Sequence, residues 1–169
     1  MHGLLFAPSS IGVGLGLGFG LTNAWSASRH RRLSWLKEFW RRVGPVGGET
    51  SFRSVIPDTL GWTRNQVHQE HVTFFMKPLH HDPQTGHVLL LVRYPAGSIN
   101  PGHRHRVGHG MYVLQGQLVT HQGTFERGAF VWFPPHETMM HGAGPDEELV
   151  AIFMTDASLD TRYVSTAPG

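Results

Sequence analysis

His103 and His105 are separated by one residue, and His109 follows four positions later in the run Gly102-His-Arg-His-Arg-Val-Gly-His109. On an extended strand, positions i and i+2 face the same side, so the first two imidazoles can reach one point. His109 has the same parity and joins them if the chain stays extended or bends only slightly. His141 comes from a different strand or loop, which is how a mononuclear site is held from two sides. Imidazole accepts Fe, Zn, Cu, Ni or Co, so geometry rather than ligand type selects among them. The chain has 13 histidines and no cysteine, so any transition-metal site is built from nitrogen and oxygen donors. Disulfides, thiolate zinc sites, iron–sulfur clusters and cysteine nucleophiles are excluded. Of the other histidines, His68, His71, His80, His81 and His87 lie among polar or turn residues, and His2 and His30 fall near the amino terminus.

Those side chains need a rigid frame, and 169 residues provide for one domain and an appendage. Glycine (21) and proline (11) are abundant and only 15% of residues are charged, which favours short strands joined by turns over a helical bundle. From about Ser51 the pattern is strand and turn. Val88–Tyr94 follows the turn signal Asp82-Pro-Gln-Thr-Gly86; Met111–Leu114 and Gln117–His121 flank Gln115-Gly116, a tight hairpin candidate. Ala129–Phe133 runs into Pro134-Pro135, and Leu149–Met154 is continuously apolar. Strands at this spacing indicate an all-β sandwich or small barrel. We therefore divide the chain into an extension, residues 1–48, and a single domain, residues 49–169.

The extension has two parts. Residues 1–28 carry no Lys, Arg, Asp or Glu and place glycine at 12, 14, 16, 18 and 20. The readings are a disordered tail or an upstream start, a membrane anchor through residues 3–28, and a signal peptide. Alternating glycine weakens the anchor, and the lack of a positive leading region weakens the signal. Ser34–Val43 is a helix by pattern: Trp35, Leu36, Phe39, Trp40 and Val43 form one stripe, Ser34 caps the start and Gly44-Pro45 stops the end. Six of the 14 basic and one of the 12 acidic residues lie between Arg29 and Val43, leaving eight basic against eleven acidic elsewhere. The stripe packs on the domain or lies on a membrane surface. No base-recognition motif accompanies the basic patch, so nucleic acid is not expected as a partner.

Gly97-x5-His103-x-His105-x3-His109-x6-Gly116 resembles the first cupin motif at every spacing, with His109 where that family usually has glutamate. Gly128-x5-Pro134, followed by His141, resembles the second motif, although His136 replaces the motif glycine and two extra residues precede His141. The resemblance spans roughly Phe74 to Phe153. It implies a double-stranded β-helix, the cupin jelly-roll barrel, holding one divalent metal. The ligands it implies are His103, His105, His109 and His141, or a triad of His103, His105 and His141 with His109 standing off. Iron is the first expectation, with Zn, Ni, Mn or Cu as alternatives. It also implies a homodimer.

Neutral imidazoles leave the charge of a divalent ion uncompensated, which favours anionic ligands such as an enolate, a carboxylate or hydroxide. By analogy with acetylacetone-cleaving and dihydroxyacetophenone-type cupins, the expected activity is dioxygenation of a small dicarbonyl, hydroxyketone or phenolic compound. The alternatives are a non-oxidative metal isomerase or lyase, and a non-catalytic binding or sensing module. Tyr112 and Glu137 are the candidate catalytic groups, the first as proton or hydrogen-bond donor, the second as a substitute carboxylate. Tyr94, Tyr112, Phe130, Trp132, Met139, Met140 and Phe153 are candidates for an apolar pocket, with barrel core as the competing reading for each. His121 is a candidate neighbour of the ligands. The expected location is cytoplasmic, with membrane attachment through residues 3–28 as the alternative.

Overall fold

The computed structural model describes residues 52–67 and 72–164. The glycine tract and the Ser34–Val43 stripe lie outside the described residues. Within them the chain forms eleven strands, one 3-10 turn at Pro57–Thr59 and no α-helix. None of the described helices is long and apolar enough to cross a membrane.

β1 (Thr63–Val67), β2 (Val72–His81), β3 (Val88–Tyr94), β5 (His109–Gln115), β8 (Phe130–Phe133) and β10 (Leu149–Thr155) make one antiparallel sheet in the order β1-β2-β3-β10-β5-β8. β4 (Ile99–Arg104), β6 (Leu118–Thr120), β7 (Gly123–Phe125), β9 (Met139–Ala143) and β11 (Arg162–Tyr163) make the other, in the order β11-β4-β9-β6-β7. Strands distant in sequence are neighbours (β3 with β10, β4 with β9), the interleaving of a jelly roll. β3 and β10 form the spine because aliphatic residues alternate cleanly along them: Val88, Leu90, Val92 and Tyr94 face the interior, as do Leu149, Ala151 and Phe153. The turn before β3 closes on itself, since Asp82 accepts from Gln84 N–H and the Thr85 hydroxyl while Gly86 N–H donates to the Asp82 carbonyl.

Gln115-Gly116 is not a hairpin. β5 and β6 belong to different sheets, and Gly116 makes the corner between them at φ 73°. A Cβ there would stand 2.3 Å from the Glu148 carbonyl oxygen, so both backbone conformation and space require glycine. Gly116→Ala is therefore expected to lower stability by about 2 kcal/mol or more, through left-handed strain plus displacement of the chain entering β10. A urea denaturation midpoint indistinguishable from wild type would show that the corner tolerates a side chain.

Candidate metal centre

The interior between the sheets is apolar except at one end, where four imidazoles meet. His103 lies on β4 and His105 just past it; both are buried on the inner side. A register irregularity between Asn100 and His103 shifts the strand, so that both residues, three apart, point inward. His141 stands mid-strand on β9 in the same sheet. His109 does not continue the first strand. The chain turns after His105, and His109 opens β5 in the facing sheet, so it reaches the others from across the barrel.

Ring centres are 4.9 Å apart for His103–His105, His105–His109 and His103–His141, and 5.7 Å for His109–His141. Two imidazoles bound at about 2.0–2.1 Å around one roughly tetrahedral ion have ring centres about 5 Å apart. The spacing suits a shared ion. Protonation suits it as well, because ligation needs the neutral ring. Burial pushes His103 down to about 4, against a bond to the Pro101 carbonyl that favours the charged form. Burial, helped by the charges of His105 and His103, takes His109 to about 2. Burial likewise lowers His105, opposed by the carbonyl and charge of Asp160, and holds His141 far below the usual imidazole range.

Two of the rings are locked from behind. His103 Nδ1–H donates to the Pro101 carbonyl at 2.6 Å, and His105 Nδ1–H donates to the Asp160 carbonyl. These bonds fix the tautomer that leaves Nε2 as the lone-pair nitrogen, the arrangement common among metal-binding histidines. Asp160 is itself anchored: its buried carboxylate accepts the Arg106 backbone N–H and pairs with Arg106 and Arg162 at 3.0 and 3.6 Å. The 3.0 Å approach from Arg106 Nε to Oδ2 is an ion pair off the N–H axis, so Oδ2 receives no directed hydrogen bond.

On the inner side the nitrogens are orphaned. His103 Nε2 and both ring nitrogens of His109 and His141 are buried without a hydrogen-bond partner. Each such group costs about 1–3 kcal/mol when left without a partner, and each neutral ring has one lone-pair nitrogen that a cation can engage. Among the described residues, no group of three or more His, Asp or Glu side chains already has its donors disposed about one point as an ion requires. Spacing, burial and protonation nevertheless fit a metal. Orientation is the cheaper requirement at His109 and His141, whose rings make no hydrogen bond and can turn about χ2.

The walls are apolar. His109 lies against Phe133 at 4.7 Å and Phe153 at 4.8 Å, Tyr94 meets His141 edge-on at 5.8 Å, and Phe74 stacks on Tyr94. Tyr163 on β11 lies 5.7 Å from His103 and donates to Asn100 Oδ1. Asn100, Phe133, Asp160 and Tyr163 were not among the sequence candidates. The cue for Phe133 is its place before Pro134-Pro135; Asp160 and Tyr163 carry none.

Several candidates lie elsewhere. Tyr112 is on β5 with its side chain on the outer face, 39% exposed, because His109, Met111 and Val113 take the inward positions. Phe130 and Trp132 are outward too, at 55% and 51%, and so line no interior pocket; Phe133 takes the inward place. Met140 alternates away from buried Met139 and His141, while Tyr94, Met139 and Phe153 are interior. Glu137 is exposed between β8 and β9 and makes no hydrogen bond or ion pair with a described residue. His121 is exposed; His136, at φ 69°, contributes its backbone N–H to the His105 carbonyl.

A comparison with protein families matches residues 54–160 to the ChrR cupin-like domain. The chain belongs to this cupin family. No curated protein matches it in sequence. Solved structures share the cupin's fold. A cupin-like protein from Thermotoga maritima is 24% identical with TM-score 0.50, covering 56% of this chain and 77% of its own. The polyketide cyclase RemF from Streptomyces resistomycificus is 17% identical with TM-score 0.54, covering 69% and 88%. A candidate acetylacetone dioxygenase from Methylibium petroleiphilum is 15% identical with TM-score 0.57, covering 73% and 90%. Identities this low speak to the fold alone.

Proposed function

We propose that this cupin holds one divalent ion, iron first, through His103, His105, His109 and His141. With it, the protein acts as a dioxygenase on a small enolisable dicarbonyl, hydroxyketone or phenolic compound. The supporting observation is the cluster of four buried imidazoles, with neighbouring ring centres 4.9 to 5.7 Å apart and five ring nitrogens that lack a hydrogen-bond partner. A bound ion supplies Lewis acidity toward an anionic oxygen and, as iron, a redox centre. The chain supplies the rest. His103 and His105 are held with Nε2 inward by the Pro101 and Asp160 carbonyls. Phe133, Phe153 and Tyr94 exclude water and lower the local dielectric, which strengthens attraction of an anion to the site. Asp160, whose charge reaches His105 from behind, is paired with Arg106 and Arg162, which offsets its repulsion of an enolate or carboxylate ligand. The fold shared with the Methylibium protein makes acetylacetone the first probe.

A second reading rests on the placement of Tyr112 and Glu137. With neither among the imidazoles, the loaded site is a binding or sensing module that takes a small anion without turning it over.

The test is metal analysis of protein purified without oxygen, comparing wild type with His103→Ala and with Tyr112→Phe as a control, followed by oxygen uptake on acetylacetone and related compounds. One equivalent of iron, lost in His103→Ala and kept in Tyr112→Phe, with oxygen consumed in step with substrate, supports the first reading. Metal binding with a ligand-induced rise in Tm and no turnover supports the second. Turnover without oxygen on zinc, nickel or manganese transfers the proposal to isomerase or lyase chemistry. Failure to bind any of these ions after reconstitution overturns the metal assignment.

A further inference from the structure

The outer surface of the six-stranded sheet is apolar where it should meet water. Directly opposed residues on antiparallel strands share a face, and the register lines up Phe130, Tyr112, Ile152, Leu91 and Lys77 from β8 to β2. A parallel row sets Trp132, Gly110, Met154 and Leu89 beside it. Gly110 and Gly108 let the aromatic rings lie down on β5: a Cβ at these positions would stand 2.7 Å from the Phe130 ring and 2.4 Å from the Trp132 ring. Phe130, Trp132 and Tyr112 are exposed on this face, with Ile152, Met154, Leu91 and Leu89 half-buried beside them, and an apolar patch of this kind marks a contact surface.

The incoming chain already covers one end of the first row. Lys77 is almost fully buried although it faces outward, because its Nζ donates to the Pro57 carbonyl at 2.8 Å and lies over the Trp62 ring. Arg93 stacks on Trp62 as well. Residues 57–62 thus run over the outer face at β2 and β3. Further toward the amino terminus, Phe52 is 97% exposed and Ile56 also projects outward.

We propose that Ser34–Val43 is the occupant of the remaining face, laying Trp35, Leu36, Phe39, Trp40 and Val43 on Phe130, Trp132, Tyr112, Ile152 and Met154. The connection allows it. Eight residues separate Val43 from Phe52 and span up to about 30 Å when extended. Four strand spacings separate β2 from β8, about 19 Å. Charge favours it too: the segment carries Lys37, Arg41 and Arg42 against Glu38, and Asp146, Glu147 and Glu148 immediately precede β10, with Glu148 pairing with Arg93 on β3 at 3.9 Å.

The absence of cysteine allows a clean test. A nitroxide is attached to the full-length protein through Gln115→Cys, an exposed position at the end of β5, and the indole N–H signals of the five tryptophans are followed by NMR. The expected result is loss of the Trp35 and Trp40 signals, restored when Phe130→Ser and Trp132→Ser are added; both side chains are half exposed, so that variant keeps the fold. The decisive control mixes isotope-labelled protein lacking the nitroxide with unlabelled protein carrying it. Loss of signal in that mixture assigns the face to a second copy and overturns the proposal. Signals unaffected in every sample overturn it as well, and if the segment then co-sediments with anionic phospholipid vesicles, its stripe belongs to a membrane surface.

Discussion

His141→Leu is expected to abolish stoichiometric metal uptake and, in the same protein, to raise the stability of the metal-free fold. The two effects have one origin. Both ring nitrogens of His141 are buried without partners, and burial holds the imidazole neutral. In the metal-free state that ring gives up its hydration and gains no hydrogen bond, a loss of about 1–3 kcal/mol per orphaned group. Leucine has a similar volume and no polar atom, and its neighbours include Tyr94 and Phe133. A gain of about 1–3 kcal/mol in urea denaturation is the expected outcome. Metal affinity should fall by about 100-fold or more, since even outer-shell partners of ligating histidines are worth about 10–100-fold. Titration calorimetry with Fe(II) under argon, or with Zn(II) as a stand-in, reads the second effect. Full affinity in His141→Leu would remove this residue from the ligand set. Lower stability without metal would mean that its nitrogens are satisfied in the fold and that no cation is needed to explain them.

What could be read from the sequence divides along a physical line. β3 and β10 were legible because long aliphatic runs flanked by turn chemistry have few other uses, and the Asp82–Gly86 turn closes through its own side chains. The all-β class and the cupin pattern followed from such local signals. The misread features are those decided by distant residues. Gly116 has the same local look in a hairpin as in a corner between sheets; the Glu148 carbonyl beneath it, far along the chain, shows which it is. β8 is apolar at every position, so its period cannot say which side faces inward, and Gly110 on β5 and Gly108 just before it give Phe130 and Trp132 a place to lie on the outer surface. His103 and His109 share parity in the sequence, yet a strand irregularity and a change of sheet lie between Asn100 and His109. The four imidazoles meet through tertiary geometry that strand periodicity does not contain.

Acid should expose the cost of those imidazoles. In the metal-free protein, stability is expected to be level above about pH 6.5 and to fall steadily as pH drops toward 4. The sign follows from proton binding. The unfolded chain takes up protons at its histidines near the ordinary imidazole value, whereas burial lowers the folded-state values of His103, His105, His109 and His141. Between the two values the unfolded state binds more protons, so each step down in pH favours unfolding. His103, lowered to about 4, withdraws about 3 kcal/mol across this window, and the other three rings act in the same direction. Asp82 adds its own loss only at lower pH, because the Thr85 hydroxyl holds its carboxyl below the usual carboxylate range. The histidine window is therefore separable. Urea titrations of metal-free protein at intervals from pH 7.5 to 4 measure the slope, and His141→Leu should make it shallower by removing one proton-binding group from the unfolded side. A flat profile between pH 6.5 and 4.5 would show that the rings take up protons in place, which four buried imidazoles at these separations do not allow. Bound metal should shift the onset of acid unfolding to lower pH, because each proton must then displace the ion as well as open the core.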